Sequence, residues 1–357
     1  MGAAYERVRY GAGTLTGFGE RLLTAAGLPP PVAADVAEVL VEGDLLGHDT
    51  HGLSLLGPYL AEIDKGAMNA AGDPEVITER AAVATWDGRR LPGPWLVRQA
   101  IEWASPRARE HGVATVAIRR SHHIACLAAY LEPVARAGLL IEIHSSDPAV
   151  ASVAPFGGTQ PVFTPNPIAV GIPTSRDPIM IDISSSVTTN GLSNRMRAAK
   201  VKGEHDWWLD SLGQPTNDPA VLFTSPPGTI LPLGGLDAGH KGYGLLLMVE
   251  AMSGGLAGYG RADGEKGWGA SVMVRLTDPS AFGGLDAFTR QTDWLADACH
   301  ASAARIAGQA VRLPGERGLA RKAEQLAHGL ALQPSIIPGL APWTTRHRID
   351  LPAPIES

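Results

Sequence analysis

Two histidine pairs sit in short polar stretches of an otherwise apolar first third of the chain. His48 and His51 lie in GHDTHG, and His122 and His123 lie in SHHIA. Imidazole exchanges its proton near neutral pH, so each pair is a candidate general acid or base. A single histidine is more often a packed or surface residue, by roughly two to one; two clusters, each beside Ser, Thr or Asp, lower those odds without abolishing them. His48 and His51 can share a helix face with Asp44, but no HExxH and no facing cysteine set completes a ligand set, so no metal is expected. A third stretch is DISSS, Asp182 to Ser186, at the end of a β-branched run. A strand running into a hydroxyl-rich helix start presents free N–H groups and Ser hydroxyls to an anion, although a plain serine N-cap has the same sequence. A carboxylate at Asp182 beside an imidazole would fix its tautomer and raise its pKa. A fourth is HKGYG, His240 to Gly244. Lys241 at a helix start opposes the helix dipole, which an anionic ligand such as a pyrophosphate would explain; a solvated lysine is the plain alternative.

No GxGxxG follows a strand and opens a helix. GAGTLTG at Gly11 and GGLAGYG at Gly254 lack the spacing and the context, and no Walker loop is present. A nucleotide would therefore be held outside a Rossmann crevice.

The elements that must position these residues fall into three parts. Helices are expected over 15–26, stopped by Gly27 and the Pro29-Pro30-Pro31 block, and through Val32, Val36, Val39 and Leu40 to a stop at Gly47. Strands over 82–86, 113–118 and 139–143 alternate with helices over 95–111 and 126–137, which is α/β texture. Short runs at 168–172 and 179–183, a buried helix over 241–256 and a strand over 271–276 complete the middle. Helices return at 292–307 and 317–332, and the proline-punctuated end reads as extended along the surface.

Composition bounds the class. The chain has 357 residues, 45% hydrophobic and 18% charged, which is globular composition. A net charge of −6 argues against nucleic acid as the main partner. Two cysteines far apart, Cys126 and Cys299, make no disulfide framework. The first ten residues show no basic-then-apolar leader, and the apolar run 245–256 is broken by Glu250 and too short to span a bilayer. The expectation is a soluble, cytoplasmic protein.

Taken in order, GHDTHG, ATWDG, SHHIA, APFGG, Asn166-Pro167, DISSS, DSLGQPTNDP, LPLGG, HKGYG and LPGE resemble the malate/L-lactate dehydrogenase type 2 family of NAD(P)-dependent oxidoreductases, from about residue 41 to 316. The GHDTHG step resembles the GHDSHG-like step of the hydroxycarboxylate dehydrogenase branch. The resemblance implies a non-Rossmann α/β fold. A helical domain would come from both chain ends, residues 1–78 and 286–340, with an α/β NAD(P)-binding domain over 79–285 and an extended tail over 341–357. It also implies a homodimer with a small-molecule substrate, and NAD or NADP as cofactor. By residue, it implies His51 as the proton donor to the substrate oxygen, with Thr50 beside it, His123 near substrate and nicotinamide, and Asp182 orienting His51. Cofactor contacts would come from Ser146, Asn166, Asp182, Ser184, Ser186, Lys241, Gly242, Pro314, Gly315 and Glu316.

The chain departs from the pattern where an acid would be gripped. Leu55 stands four residues after His51, where many relatives carry arginine, and Ala125-Cys126 stands for a usual Gly-Arg. A carboxylate without its cation loses charge-assisted bonds worth ~1.5–3 kcal/mol each. The substrate is then bulkier, less charged, or held by Arg119, Arg120, Arg195 or Arg197. The expected activity is hydride transfer between nicotinamide and a 2-oxo or 2-hydroxy acid. The alternatives are reduction of a cyclic imine carboxylate (piperideine or pyrroline-2-carboxylate type) and a non-redox binding protein.

Overall fold

A computed structural model describes residues 8–355. Residues 1–7, on which most of the expectation of no leader rests, and residues 356–357 lie outside the described part. Near the N-terminus, β1 (Arg9–Tyr10) leads into α1 (Ala12–Ala25), α2 (Pro30–Leu46) and α3 (Leu56–Asp64). Then follow β2 (Glu75–Arg80), β3 (Val83–Asp87), α4 (Gly93–His111), β4 (Val113–Ser121), α5 (Leu131–Arg136), β5 (Leu140–Ser146), β6 (Ile168–Ile172) and β7 (Ile179–Ile183). Next come α6 (Asn190–Ala198), β8 (Trp208–Leu209), β9 (Pro215–Thr216), β10 (Thr229–Ile230), α7 (Gly235–Glu250) and β11 (Ala270–Thr277). The chain closes with α8 (Leu285–Ala301), α9 (Glu316–His328), β12 (Leu330–Ala331), α10 (Ile336–Gly339) and α11 (Ala341–His347).

The fold is mixed α/β around a seven-stranded sheet of order β2-β3-β4-β11-β5-β6-β7. Only β3 and β4 pair in parallel, joined by the crossover helix α4; the other neighbours are antiparallel. Late in sequence but central in the sheet, β11 sets Met273 opposite Ala117 of β4 and His144 of β5. Its apolar run ASVMV is buried throughout, as a strand covered on both faces must be. Three short strands, β10-β8-β9, carry a separate small core of Val153, Phe163, Trp208, Ile230 and Leu246.

The chain ends meet. Tyr10 of β1 pairs with Leu330 of β12, and α9 packs on α2. Gln325 of α9 donates to the carbonyls of Asp44 and Leu45 at 3.0 and 2.9 Å, capping the end of α2. Lys322 reaches Glu42 of α2 and Glu132 of α5 at 2.6 and 2.8 Å.

Several expected elements shift. The helix expected over 126–137 begins only at Leu131, after a 3-10 turn over Leu127–Tyr130, and leaves Cys126 extended. α7 begins at Gly235, so Lys241 is a helix-interior residue and does not oppose a helix start; the helix widens into a π-turn over Ala251–Gly255. α8 starts and ends earlier than expected, and residues 302–315 are irregular. Gly329, at φ +88°, stops α9 before β12. The tail over 341–357 is not extended throughout, because α11 occupies Ala341–His347. Pro338 and Pro342 fall in first turns, where the missing N–H costs no helical bond. No helix among the described residues is long and apolar enough to cross a membrane.

Candidate active site

Gly47, at φ +91°, ends α2 and turns the chain sharply, with the His48 N–H returning to the Gly43 carbonyl at 2.8 Å. The next four residues fold over the helix end they have left. Asp44, buried on α2, accepts the Leu53 N–H at 2.6 Å, so it anchors this turn and is not a metal partner for the histidines. Burial pushes its pKa up to about 7. The approach leaves no room at Gly52, where a Cβ would stand 2.3 Å from the Asp44 carboxyl. The second histidine pair follows β4. Its backbone crosses the start of α4 at Gly93, where a Cβ would lie 2.4 Å from the carbonyls of His122 and His123.

The two pairs divide. His51 and His123 stack with ring centres 5.8 Å apart, and His123 lies 4.7 Å from Trp268. Both line a cavity of about 450 Å³. His122 turns away and is fully buried against Tyr59 and Trp268, with Nε2 3.6 Å from Glu62.

The hydrogen bonds fix ring states. Thr50 Oγ1 lies 2.8 Å from His51 Nδ1, which leaves Nε2 for a ligand. At His123, the Ala125 N–H donates to Nδ1 at 3.2 Å and the Tyr59 hydroxyl lies 2.9 Å away. An Nδ1 that accepts from a backbone N–H places the neutral ring's proton on Nε2. Ala125 makes this contact from the left-handed region, at φ +58°, a conformation costing a non-glycine residue about 1–2 kcal/mol.

Burial dominates the electrostatics. It lowers His51 to about 4, with help from the nearby His48 and Arg195, and takes His123 well below the ordinary imidazole value. The expectation that a carboxylate would lift His51 is overturned by placement. Asp182 accepts the Ala128 N–H at 2.9 Å, lies 4.0 Å from Cys126 Sγ, and feels His48 as its nearest charge. Burial raises the Asp182 pKa.

The cavity gathers Thr50, His51, His123, Ser146, Asn166, Asp182 and Ser184 from distant parts of the sequence. Behind one wall, Glu250 accepts from Ser146 at 2.7 Å, Asn166 at 3.0 Å and Arg261 at 2.7 Å. Thr164 donates to Asn166 Oδ1 at 2.6 Å. The other walls are apolar, with Leu55, Ile124, Leu127, Val150 and Trp268. Lys241, Gly242, Pro314, Gly315, Glu316 and Ser186 do not line it. Lys241 is exposed on α7. Gly242 is a packing glycine, where a Cβ would meet the Leu233 backbone at 2.3 Å. Pro314 accepts the Met180 N–H, and Glu316 accepts from His300 at 2.6 Å. The serines after Asp182 open no helix, which corrects the expected anion cradle. Ser184, Ser185 and Ser186 donate to the carbonyls of Ser186, Asn166 and Thr188. Thr189 is the N-cap, accepting from Leu192 at the start of α6.

Among the described residues no arginine or lysine lines the cavity. Arg119 and Arg120 are bound to the buried Asp87, and Arg197 lies over Phe223. Arg195 alone of the four named cations acts on His51, from an ion pair with Asp49 at 3.1 Å. Sequence reasoning missed Tyr59, Trp268, Glu250 and Arg261. Two signals were available: a tryptophan between glycines in GWG, and a lone glutamate inside the apolar run of α7.

The histidine-lined cavity sits on a mixed, mostly antiparallel sheet whose strand order is not that of a Rossmann fold. The chain belongs to the malate/L-lactate dehydrogenase family, whose model matches residues 11–341. It is 31% identical to an L-lactate dehydrogenase of Cupriavidus necator, over 88% of this chain and 91% of that one. It is 33% identical to a (2R)-3-sulfolactate dehydrogenase (NADP(+)) of Chromohalobacter salexigens, over 85% and 88%. A solved structure of a putative malate/lactate dehydrogenase from E. coli superposes with a TM-score of 0.86 at 27% identity, over 95% of both chains.

Proposed function

We propose that the chain is an NAD(P)-dependent 2-hydroxyacid dehydrogenase, or 2-oxoacid reductase, in which His51 moves the proton at the substrate oxygen. The observation carrying this reading is the His51 ring, held at Nδ1 by Thr50 at 2.8 Å and lining the cavity with His123. In oxidation, Nε2 takes the hydroxyl proton while Nδ1–H donates to Thr50. In reduction, the same nitrogen returns it to the developing alkoxide. Between turnovers Thr50 keeps the ring from flipping, and Trp268 and Ile124 exclude water from around the histidines.

The cavity fits a nicotinamide. It pairs a polar wall of Ser146, Thr164 and Asn166 with flat apolar surface at Pro165, Pro167 and Trp268, and leaves room for a small acid. Bound there, the nicotinamide would supply or accept the hydride. Ser146, Asn166, Asp182 and Ser184 are the residues proposed to hold it. The choice between NAD and NADP stays open in this reading. A homodimer is part of the same proposal, supported by exposed Leu236, Leu247, Met248 and Leu256 on and just after α7.

The test is His51→Asn. Turnover should fall by about 10²–10⁴, while NADH or NADPH fluorescence still reports binding. Near-normal turnover removes His51 from the mechanism. A substrate panel of 2-oxo acids and cyclic imine carboxylates separates the two reductive readings. Failure of both NADH and NADPH to bind would leave a non-redox binding protein.

A further inference from the structure

His48, Cys126 and Asp182 play no part in the proton transfer above, yet they converge in the cavity from three separate segments: the turn after α2, the extended residue before α5, and the end of β7. One donor atom from each lies within 4.8 Å of the others, with Cys126 buried and the other two half-buried. We propose that these three residues form a binding site for a thiophilic divalent cation such as Zn2+, open to the substrate cavity.

The donor set fits that ion. Imidazole nitrogen, thiolate sulfur and carboxylate oxygen are its usual ligands, and Zn–S of ~2.3 Å with Zn–N and Zn–O of ~2.0–2.2 Å sets neighbouring donors about 3.4–3.6 Å apart. The sulfur and the carboxylate oxygen are already 4.0 Å apart. The widest separation closes with side-chain movements of about 1 Å. The carboxylate is pre-oriented by the Ala128 N–H at 2.9 Å, the kind of outer partner that holds a metal ligand in place. His48 lines the same cavity and acts electrostatically on the Asp182 carboxylate, which places its ring beside the other two donors. On binding, the thiol proton leaves to solvent. The thiolate and the carboxylate then balance the dication, and among the described residues no arginine or lysine lines the cavity. All three donors line that cavity, so the fourth tetrahedral position faces the space proposed for substrate. Two side chains already set as a pair, with a third in reach, distinguish this cluster from Cys299, which is an exposed, isolated thiol.

The experiment is binding of the metal alone, which needs no turnover. Its outcome is therefore separate from that of the redox reading. In a Cys299→Ser background, Cd2+ should produce a sulfur-to-metal ultraviolet charge-transfer band that saturates at one equivalent. Cys126→Ala in the same background should abolish the band. Zn2+ affinity, read by competition with a chromophoric chelator, should fall at least tenfold in His48→Gln, a half-exposed position that tolerates the change if Cys126→Ala does not fold. Absence of the band with Cys126 intact overturns the proposal. So does a band that survives Cys126→Ala, or Zn2+ affinity unchanged in His48→Gln.

Discussion

Measuring the reaction in both directions across pH isolates His51. Burial, His48 and Arg195 hold its pKa down at about 4, against the ordinary 6.5. The protonated ring is the disfavoured form, so above pH 5 the free protein presents a neutral base. Oxidation uses that form: kcat/KM for a hydroxy acid should be flat from pH 5.5 upward on this limb and fall about tenfold per unit below 4. Reduction needs the imidazolium, which about one molecule in a thousand carries at pH 7. An anionic substrate changes this. A carboxylate 4–6 Å from the ring, at an effective permittivity near 20, favours the protonated form by about 3–4 kcal/mol, or about two to three pK units. The pKa in the complex is thus expected near 6–7. The kcat for reduction should be half-maximal there, while kcat/KM for reduction should fall about tenfold per unit from pH 5 upward. Initial rates of nicotinamide absorbance at saturating cofactor, from pH 3 to 9, provide all four profiles. The residual rate of His51→Asn should lose both limbs. A kcat/KM for reduction that stays level through pH 7 refutes a donor held neutral by burial.

Three further outcomes follow from named contacts. Leu55→Arg puts a cation on the cavity wall and should lower KM for small 2-oxo acids by about 10–100-fold, as expected for a charge-assisted bond of ~1.5–3 kcal/mol; an unchanged KM in steady-state assays would place the substrate carboxylate elsewhere. Gly52→Ala drives a methyl into the Asp44 carboxyl and should cost about 1–3 kcal/mol, with loss of activity at temperatures where the parent is folded; urea unfolding monitored by circular dichroism measures it. His122, also lowered to about 4 by burial, is neutral in the fold but protonated when unfolded below 6.5. Its contribution is complete above pH 6.5 and is lost as pH falls toward 4, by about 3 kcal/mol. His122→Phe should therefore narrow the difference between urea midpoints at pH 7 and pH 5, and an undiminished difference counts against it.

The elements visible in the sequence were those with a strong local signal. α1, α2 and α4 are closed by glycines or by a proline block, and β4, β5, β6 and β7 are compact apolar runs. β2 gave no signal, since all six of its residues are exposed on a sheet edge. Lys241 was set at a helix start because the six residues before it, rich in glycine, lack helix propensity; tertiary packing against Leu233 overrides this. The prolines near the C-terminus suggested extended chain although their positions suit first turns. At the site, motif order brought His51, His123 and Asp182 into view, but not which carboxylate faces which imidazole. That depends on Ala128 and Cys126, whose conformations follow from a 3-10 turn with no sequence signature. The Glu250–Arg261 pair behind the wall was hidden because it joins groups 104 and 115 residues from Ser146.

The cap that Gln325 places on the carbonyls of Asp44 and Leu45, with Gln333 holding Asp49 at 2.8 Å, ties the histidine-bearing turn to residues near the end of the chain. During translation, GHDTHG leaves the ribosome long before the side chains that finish its hydrogen bonding. The nascent turn therefore lacks these hydrogen bonds until Gln325 and Gln333 have been made.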